Sequence, residues 1–345
     1  MAATPAKKAT ISEVAERAGV ARSTVSRAFS QPDRLTRETV ARVLEVARQL
    51  GYTPNPVAQA LSTGRSRNIA LVVPDVANPF FPPLIRAAQR RAEEFDLCVF
   101  LGDSDEKPER EGKLLERFAN QVDGVVLVSS RLSDEQIRSY AQRLPLVLIN
   151  RDIDNILRVL IDSGTGIEEG VQHLAGLGHK QLVYVSGPAT SWSNAQRRAA
   201  IRSASQRHGM KVSSISANRS TYESGRKVAE RIVASGATAC VAFDDLLAQG
   251  ILAGLAELSV DVPRDISVIG CDDVLGSTTI PALTTVSNHC VAAGEAAISL
   301  LAERIGDAAA LDIRHVLKTH LVIRQSTSRP RAGNIRRPAA VRSRS

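Results

Sequence analysis

The stretch TISEVAERAGVARSTVSRAF, residues 10–29, decides how the N-terminal part of the chain folds. Thr10 and Glu13 have the spacing of a capping box, in which two residues satisfy each other's backbone at the start of a helix. We predict that this helix ends at Ala18, because Gly19 supplies the residue type that commonly follows a helix. A second helix begins within a few residues of this stop.

The second helix has a cationic, hydroxyl-rich face opposite Val25 and Phe29. Helical neighbours recur at three and four residues, so this face comprises Arg22, Ser23, Ser26 and Arg27. Most faces of this kind are solvated surface, but a face built to touch phosphates and base edges has the same composition. This helix alone leaves both interpretations open.

Turn residues follow the second helix, and a third helix is predicted between Thr36, which can cap it, and Gly51, which ends it. Its apolar positions recur with the helical period. Three short helices, the first two joined by a tight turn that contains glycine, form a helix-turn-helix unit. We therefore expect an all-α helix-turn-helix head over residues 1–53.

Residues 54–67 connect this head to the rest of the chain. Pro54 and Pro56 break the third helix, and residues 57–61 are long enough for barely two helical turns. A helix that short is marginal by itself. Composition alone is equally compatible with a flexible linker and with a short hinge helix.

From residue 68 onward, apolar runs alternate with amphipathic stretches. The strand-like runs are 69–74, 97–102, 124–129, 146–150, 182–187, 240–243 and 267–273, and the helical patterns between them include 84–95, 110–121 and 246–258. Continuous apolar strands separated by helices indicate parallel sheets covered on both faces. The alternation occurs over 69–161 and again over 162–290, which predicts a core of two doubly wound α/β lobes over residues 68–328. A closing helix, 291–305, and a strand, 316–324, fit either half.

Positive charge is concentrated at the two ends of the chain. The 345 residues carry a net charge of +8; residues 1–67 hold 11 basic and 5 acidic side chains, and residues 329–345 hold six arginines and no acid. The 261 residues between them hold 27 basic and 31 acidic side chains. A nucleic acid or an acidic surface is the natural partner of such ends. Because residues 329–345 are almost devoid of apolar side chains, we expect a disordered basic tail there.

Composition and motifs also restrict the class of protein. The chain is 43% hydrophobic and 23% charged, which is typical of a soluble globular protein. Four cysteines without CxxC or metal-ligand spacing are predicted to be reduced thiols: Cys98, Cys240, Cys271 and Cys290. No apolar run has the length of a membrane span or the form of a secretory signal, so we expect a cytoplasmic protein. Walker, GxGxxG, GxSxG and HExxH motifs are absent, so we expect no enzyme activity, no cofactor and no bound metal.

Several longer stretches resemble one known family. Residues 10–29 together with LTRETVARVLEVARQLGYTPNPVAQALSTGRS resemble the DNA-binding head of the LacI/GalR transcriptional regulators. LVVPDVANPFF, HLAGLGHKQLVYVSGP, VPRDISVIGCDD and PALTTV resemble successive segments of that family's core, so the resemblance covers residues 10–328. It implies a homodimeric repressor on a pseudo-palindromic DNA operator. It also implies a periplasmic-binding-protein-like core that binds a small-molecule effector, a sugar or related metabolite, between its lobes.

The resemblance also implies which residues touch DNA. The second helix would enter the major groove, with Arg22, Ser23 and Arg27 at the positions that read bases. The positions that touch phosphates are Thr10, Thr24, Ser26, Ser30, Arg34, Thr36 and Thr39. In the hinge helix, the implied contacts are Asn55 and Gln59 near the DNA backbone, Ala58 near the floor of the minor groove and Leu61 as a wedge between base steps. Ala21 departs from the family's usual serine cap.

The implied effector contacts lie at the ends of strands or open helices, where α/β sheets bind ligands. They are Phe80, Phe81, Asn150, Arg151, Ser193, Arg197, Asp244 and Asp272. Asn150 and Asp244 depart from the family's commonest pattern, which has aspartate at position 150 and asparagine at position 244. The identity of the effector therefore does not carry over from relatives.

Three alternatives compete with an effector-controlled repressor. The pair Asp272 and Asp273 raises the possibility of a catalytic dyad, which the absence of other enzyme motifs disfavours. A solute-binding protein has the same core, but the helix-turn-helix pattern argues against it. A regulator in which a protein partner replaces the small ligand stays open.

Overall fold

The computed structural model describes residues 9–55, 64–306 and 312–331, and its contacts divide the chain into two compact units, Met1–Arg67 and Asn68–Ser345. Among these described residues, no helix is both long enough and apolar enough to cross a membrane. The predicted hinge helix over residues 57–61 lies outside the described residues. So does the predicted basic tail from residue 332 onward.

The first unit is all α-helical. Its elements are α1 (Ile11–Ala18), α2 (Arg22–Ser30), a 3-10 turn (Pro32–Arg34) and α3 (Arg37–Leu50). Val14, Val25 and Val43, one from each α-helix, are fully buried against one another in a small aliphatic core. This arrangement confirms the predicted order of three short helices.

The predicted caps of α1 and α3 are confirmed. The Thr10 hydroxyl accepts a hydrogen bond from the Glu13 backbone N–H at 3.3 Å, and the Glu13 carboxylate accepts one from the Thr10 backbone N–H at 2.7 Å. Thr36 caps α3 by accepting from the Thr39 N–H at 3.3 Å. Gly19 and Gly51 close the two helices at φ values of 65° and 62°, a left-handed conformation that glycine adopts without strain.

The second unit consists of two α/β lobes, each built on a six-stranded sheet. The first sheet has the order β11-β5-β4-β3-β1-β2, and all of its strand pairs are parallel. Its strands are β1 (Asn68–Val73), β2 (Cys98–Asp103), β3 (Gly124–Val128), β4 (Leu146–Ile149), β5 (Leu157–Asp162) and β11 (Arg314–Lys318). Its helices are α4 (Phe81–Glu94), α5 (Pro108–Phe118), α6 (Asp134–Ala141) and α12 (Cys290–Gly306).

Alternation of side chains along the strands explains why helices cover both faces of the first sheet. Ile69 and Leu71 of β1 pack with α4 and α12, whereas Ala70 and Val72 of the same strand pack with α5 and α6. Successive strand side chains point to opposite faces, so a strand buried on both sides must be apolar at every position. Gly294 lets α12 approach α4 closely, since a Cβ there would lie 2.7 Å from the Leu84 carbonyl oxygen.

The second lobe repeats this plan. Its sheet has the order β12-β10-β9-β8-β6-β7, in which only the β10–β12 pair is antiparallel. Its strands are β6 (Gln181–Ser186), β7 (Lys211–Ser216), β8 (Ala239–Ala242), β9 (Ser267–Cys271), β10 (Thr284–Val286) and β12 (Leu321–Val322). Its helices are α7 (Ser163–Leu177), α8 (Trp192–Arg207), α9 (Tyr222–Lys227), α10 (Ala229–Ala234) and α11 (Asp245–Glu257).

The chain passes between the lobes three times. It leaves the first lobe between β5 and α7, returns between β10 and α12, and leaves again between β11 and β12. The closing stretch, which fitted either half by sequence, therefore serves both: α12 and β11 complete the first lobe and β12 the second. The single strand predicted over 316–324 is wrong, because the third crossing divides it.

Three strands are absent from the prediction, β5, β7 and β10, and the last of these is only three residues long. Residues of β7 are mostly exposed at the edge of the second sheet, so its sequence, KVSSIS, lacks an apolar run. Within β5, Arg158 interrupts the apolar run although it is buried, because Asp152 and Asp312 bind its guanidinium. The four cysteines have no disulfide partner, and three of them are buried.

Candidate DNA-binding surface and effector cleft

Helix α2 presents its polar face outward from the first unit. Val25 and Ala28 are buried against the other two helices, while Arg22, Ser23 and Arg27 are exposed. Among the described residues, neither guanidinium has an ion-pair partner, whereas Arg48 on α3 is held by Glu45 at 2.7 Å. Two arginines with no ion pair within the described part of the chain are available to an external anion or base edge.

The C-terminal end of α2 packs against the chain that follows α3. Phe29 of α2 and Tyr52 make an edge-on contact, with ring centroids 5.9 Å apart. Ala21 stands at the N-cap of α2 in an extended conformation and makes no side-chain hydrogen bond to the helix. The predicted departure from a serine cap is therefore also a missing cap in the structure.

The predicted phosphate contacts lie on the first unit, and several of their hydroxyls already have local partners. The Ser30 hydroxyl donates to the Ser26 carbonyl at 2.9 Å, and the Thr36 and Thr39 hydroxyls lie 2.9 Å apart. Thr10 and Thr24 lie near the starts of α1 and α2, and Arg34 and Asn55 are exposed. Ala58, Gln59 and Leu61 lie outside the described residues.

The second predicted site lies between the lobes, at the carboxyl ends of both sheets. There Asn78, which follows β1, donates its side-chain amide to Asp244, which follows β8, with Nδ2 and Oδ2 3.0 Å apart. Asp244 also accepts from the Ser220 hydroxyl and, as the N-cap of α11, from the Leu247 backbone N–H at 2.9 Å. Two lobes thus share one buried carboxylate.

Arg197 is the cation of this cleft. It projects from α8, donates to Asp272 Oδ1 at 2.8 Å and to the Phe243 carbonyl, and lies over the Phe243 ring at 4.6 Å from its centroid. The Ser163 hydroxyl accepts from Arg197 Nε at 3.2 Å. Asp272 adopts a φ of 102°, an uncommon backbone conformation for a residue with a side chain. The surrounding contacts hold it there.

Burial dominates the acid–base properties of the aspartates around this cation. It raises the pKa of Asp244 above its ordinary value, and the nearby Asp272 carboxylate raises it further, while bonds from Ser220, Leu247 and Asn78 oppose the shift. Burial also raises the pKa of the neighbouring Asp245 to about 8. This residue accepts from the Thr285 hydroxyl at 2.5 Å and from the Val274 backbone N–H at 3.0 Å.

The structure brings some predicted effector residues together and keeps others apart. Arg197 and Asp272 form one hydrogen-bonded pair, and Asp244 and Asn78 form another beside it. The Phe80 backbone N–H donates to the Asn78 side chain at 3.0 Å, and the Phe80 and Phe81 rings pack edge-on in the core of the first lobe. Adjoining polar pairs of this kind can orient hydroxyl or amine groups of a small molecule.

The remaining predicted residues lie outside these two polar pairs. Asn150 accepts a hydrogen bond from the Ile161 backbone N–H at 3.0 Å, a role within the sheet. Arg151 donates to Asp134 at 2.7 Å and to the Leu132 carbonyl at 3.2 Å, both in the first lobe. Ser193 is buried in the first turn of α8. These three residues are not bonded to either pair.

Sequence reasoning missed three members of the cleft. Asn78 stands inside the stretch LVVPDVANPFF, and its position after β1 marks it as a residue at the carboxyl end of the sheet. Asp245 stands beside a residue that was singled out and follows β8 in the same way. Ser220, by contrast, lies in a loop after the unpredicted strand β7, so the sequence carries no signal for it.

Comparisons with known proteins agree with this architecture. The model for bacterial regulatory proteins of the lacI family matches residues 10–55, and the model for the periplasmic binding protein-like domain matches residues 171–327. The HTH-type transcriptional regulator DegA of Bacillus subtilis is 30% identical over 332 residues, which cover 93% of this chain and 98% of DegA.

Solved structures match over nearly the whole chain. The structure of the Lac repressor dimer bound to operator and the anti-inducer ONPF has a TM-score of 0.84 at 26% identity, covering 93% of this chain and 100% of that one. A complex of the transcriptional regulator CelR with cellobiose has a TM-score of 0.69 at 28% identity, covering 92% and 99%. The chain therefore belongs to the lacI family of bacterial regulatory proteins, and it is a DNA-binding transcriptional regulator.

Proposed function

We propose that the chain is a homodimeric repressor that binds a pseudo-palindromic DNA operator. Its affinity for the operator falls or rises when a small effector binds between the core lobes. DNA binding is supported by the exposed polar face of α2, which has two arginines with no ion-pair partner among the described residues. The Lac repressor structure is a dimer on its operator, which supports the assembly by analogy.

On this proposal, Arg22, Ser23 and Arg27 read base edges, because arginine bonds bidentately to guanine and serine discriminates less. The hydroxyl-bearing residues of the first unit and Arg34 fix register on phosphates. Asn55 and Gln59 lie near the DNA backbone, Ala58 lies near the floor of the minor groove, and Leu61 wedges between two base steps. Replacing Leu61 by alanine then weakens operator bending and affinity and leaves effector binding intact, which a gel-shift bending assay measures. Unchanged operator affinity would refute the wedge.

The effector is proposed to be a sugar or related metabolite. The supporting observation is the two adjoining polar pairs, Arg197 with Asp272 and Asp244 with Asn78, the second of which is bonded to the Phe80 backbone. Carboxylates and a guanidinium with an aromatic ring suit a polyhydroxylated molecule. Phe81, Asn150, Arg151 and Ser193 complete the proposed contacts and stay predictions. The CelR complex with cellobiose is a precedent in a related structure.

A thermal-shift screen of the full chain tests the effector proposal. Ribose, cellobiose, other sugars, polyols and nucleobases are the probes, and a compound that binds the folded chain raises its melting temperature with concentration. A hit must then change operator affinity in a gel-shift assay, because allostery requires coupling between the two sites. If no compound in these classes binds, the proposal of a small effector gives way to a protein partner that replaces it.

We divide the chain functionally into a DNA-binding head over residues 1–53, a hinge over 54–67, an effector-binding and dimerisation core over 68–328 and a basic tail over 329–345. We expect it to act in the cytoplasm, where bacterial DNA is found, and to have no catalytic activity. The relatives support this, since they are transcriptional regulators.

A further inference from the structure

A second contact crosses between the lobes, at the surface of the cleft. Arg219, in the loop after β7 of the second lobe, donates to Asp105, in the loop after β2 of the first, with Nη2 and Oδ1 2.8 Å apart. Unlike the buried bond between Asn78 and Asp244, this ion pair is partly exposed, with 53% of the Arg219 side chain and 33% of the Asp105 side chain accessible.

The pair lies on the side of the cleft that faces away from the chain crossings. β2 and β7 are the outermost strands of their sheets, and the crossings involve β5, β10, β11 and β12 at the opposite edges. Five strand spacings separate β2 from β11, or about 24 Å at the usual 4.8 Å per strand. Because the pair lies at the edges opposite the crossings, it opposes separation of the lobes at the point where they would move furthest apart.

The Asp105 loop is held in place from within the first lobe. The Ser104 backbone N–H donates to the Val73 carbonyl at 3.0 Å, and that of Glu106 donates to the Pro74 carbonyl at 2.8 Å. The Asp105 backbone N–H donates to Asp103 at 2.8 Å, and Asp105 has a positive φ of 50°. A carboxylate fixed by its loop loses little entropy when it meets its partner.

The charges around the pair are complementary across the gap. Asp75 and Glu106 of the first lobe face Arg219 together with Asp105, so a single cation of the second lobe meets an acidic edge. Lys107 Nζ binds the second oxygen of Asp105 at 2.7 Å from within the first lobe. Asp105 is therefore shared between one cation of its own lobe and Arg219 of the other lobe.

We propose that Asp105 and Arg219 form an ionic latch that holds the mouth of the cleft closed, so that exchange of a molecule with the cleft requires this pair to open. The identity of the cleft as the effector site rests on the proposed function, but the latch itself is a property of the two lobes. Because exposed ion pairs are screened by salt, closure weakens as ionic strength rises. Exchange then depends on salt even for an uncharged ligand.

Spin-label distances between the lobes test the latch in the full chain. Labels are attached at Lys113→Cys on α5 and Glu230→Cys on α10, two exposed positions, in a Cys98→Ser background that removes the exposed thiol. We expect one short interlobe distance at low salt. The distance lengthens in high salt and in Arg219→Ala. Arg226→Ala is the matched control, because that exposed arginine pairs with Glu257 inside the second lobe, and it leaves the distance unchanged.

Two substitutions at position 219 separate the latch from a general loss of structure. Arg219→Lys keeps a cation opposite Asp105 and retains the short distance, whereas Arg219→Glu places a carboxylate against the acidic edge and lengthens the distance at low salt. The latch is overturned if Arg219→Ala keeps the wild-type distance at both salt concentrations, or if Arg219→Lys behaves like Arg219→Ala. Neither DNA nor effector is present in this experiment, so a negative result leaves the proposed repressor function untouched.

Discussion

Arg197 Nη2 lies 2.8 Å from Asp272 Oδ1, and both side chains are at least nine-tenths buried. A charge pair removed from water costs free energy to bury, and the loss is severe when one partner is left alone. Arg197 has further acceptors in the Phe243 carbonyl and the Ser163 hydroxyl, whereas Asp272 depends on Arg197 for its counter-charge. The pair therefore holds the end of β9 to α8.

Removing one member of this pair should cost far more than removing both. We expect Arg197→Met and Asp272→Asn each to lower the free energy of unfolding by about 3–5 kcal/mol, and the double variant to lower it by much less than the sum. Urea unfolding of all four proteins measures the coupling. Arg226→Met, at an exposed pair, is expected to cost under about 1 kcal/mol. Additive losses would contradict a coupled pair.

Restoring the missing cap of α2 should stabilise the head. Ala21 already has the extended backbone of an N-cap, at φ −70° and ψ 153°, so Ala21→Ser adds a side-chain acceptor next to the backbone N–H groups of the first turn of α2 without strain. We expect the free energy of unfolding of the head to rise by about 1 kcal/mol, measured by circular dichroism. The control Ala41→Ser, on the exposed face of α3, should instead lose about 0.5 kcal/mol. Equal effects at the two positions would show that capping is not the cause.

Base reading by α2 predicts a selective loss in Arg22→Ala. We expect this variant to lose about 1–3 kcal/mol of binding free energy on its operator and to relax discrimination at one base position. Selection of binding sites from random DNA, followed by competition assays, measures both. Arg42→Ala, an exposed arginine of α3 outside the proposed contacts, controls for net charge. Uniform weakening on every sequence would make Arg22 a phosphate contact.

The buried Asp245 predicts a dependence of stability on pH. Its pKa is about 8 in the folded chain against an ordinary 3.8, so the folded chain binds this proton more tightly than the unfolded one. Its contribution to the free energy of unfolding is therefore largest below pH 3.8 and is lost as pH rises toward 8, where the folded chain releases the proton. Asp245→Asn keeps an amide that can donate to Thr285, and it should show a flatter profile between pH 5 and 8 in urea unfolding. The exposed Asp261→Asn should leave the wild-type slope unchanged, and an equally steep slope in Asp245→Asn would refute the assignment.

Local chemistry made much of the fold predictable. Helix caps and stops depend on residues within one helical turn, so they could be predicted from the sequence. Examples are the caps at Thr10 and Thr36 and the stops at Gly19 and Gly51. Arg158 shows the limit of local prediction, because an arginine is expected at the surface unless its charge is paired. One of its partners, Asp152, is near in sequence, but Asp312 is brought to it only by the fold. The division of the stretch 316–324 between two sheets has the same origin in tertiary structure.

The candidate cleft was only partly predictable for a similar reason. Arg197, Asp244 and Asp272 could be placed by their positions after strands or at the start of a helix. The bond between Asn78 and Asp244 joins residues 166 positions apart, and no local pattern encodes such a pairing. Asn150 and Arg151 share the same strand-end signal but have partners within the first lobe, so position after a strand does not by itself determine a residue's contacts.

The three passages of the chain between the lobes have a consequence at the level of the gene. A premature stop at codon 290 deletes α12 and β11 from the first lobe as well as β12 from the second, although the first lobe is encoded mainly by the early codons. Neither lobe corresponds to a continuous reading-frame segment that recombination could exchange whole. A truncation at that point therefore damages both lobes together.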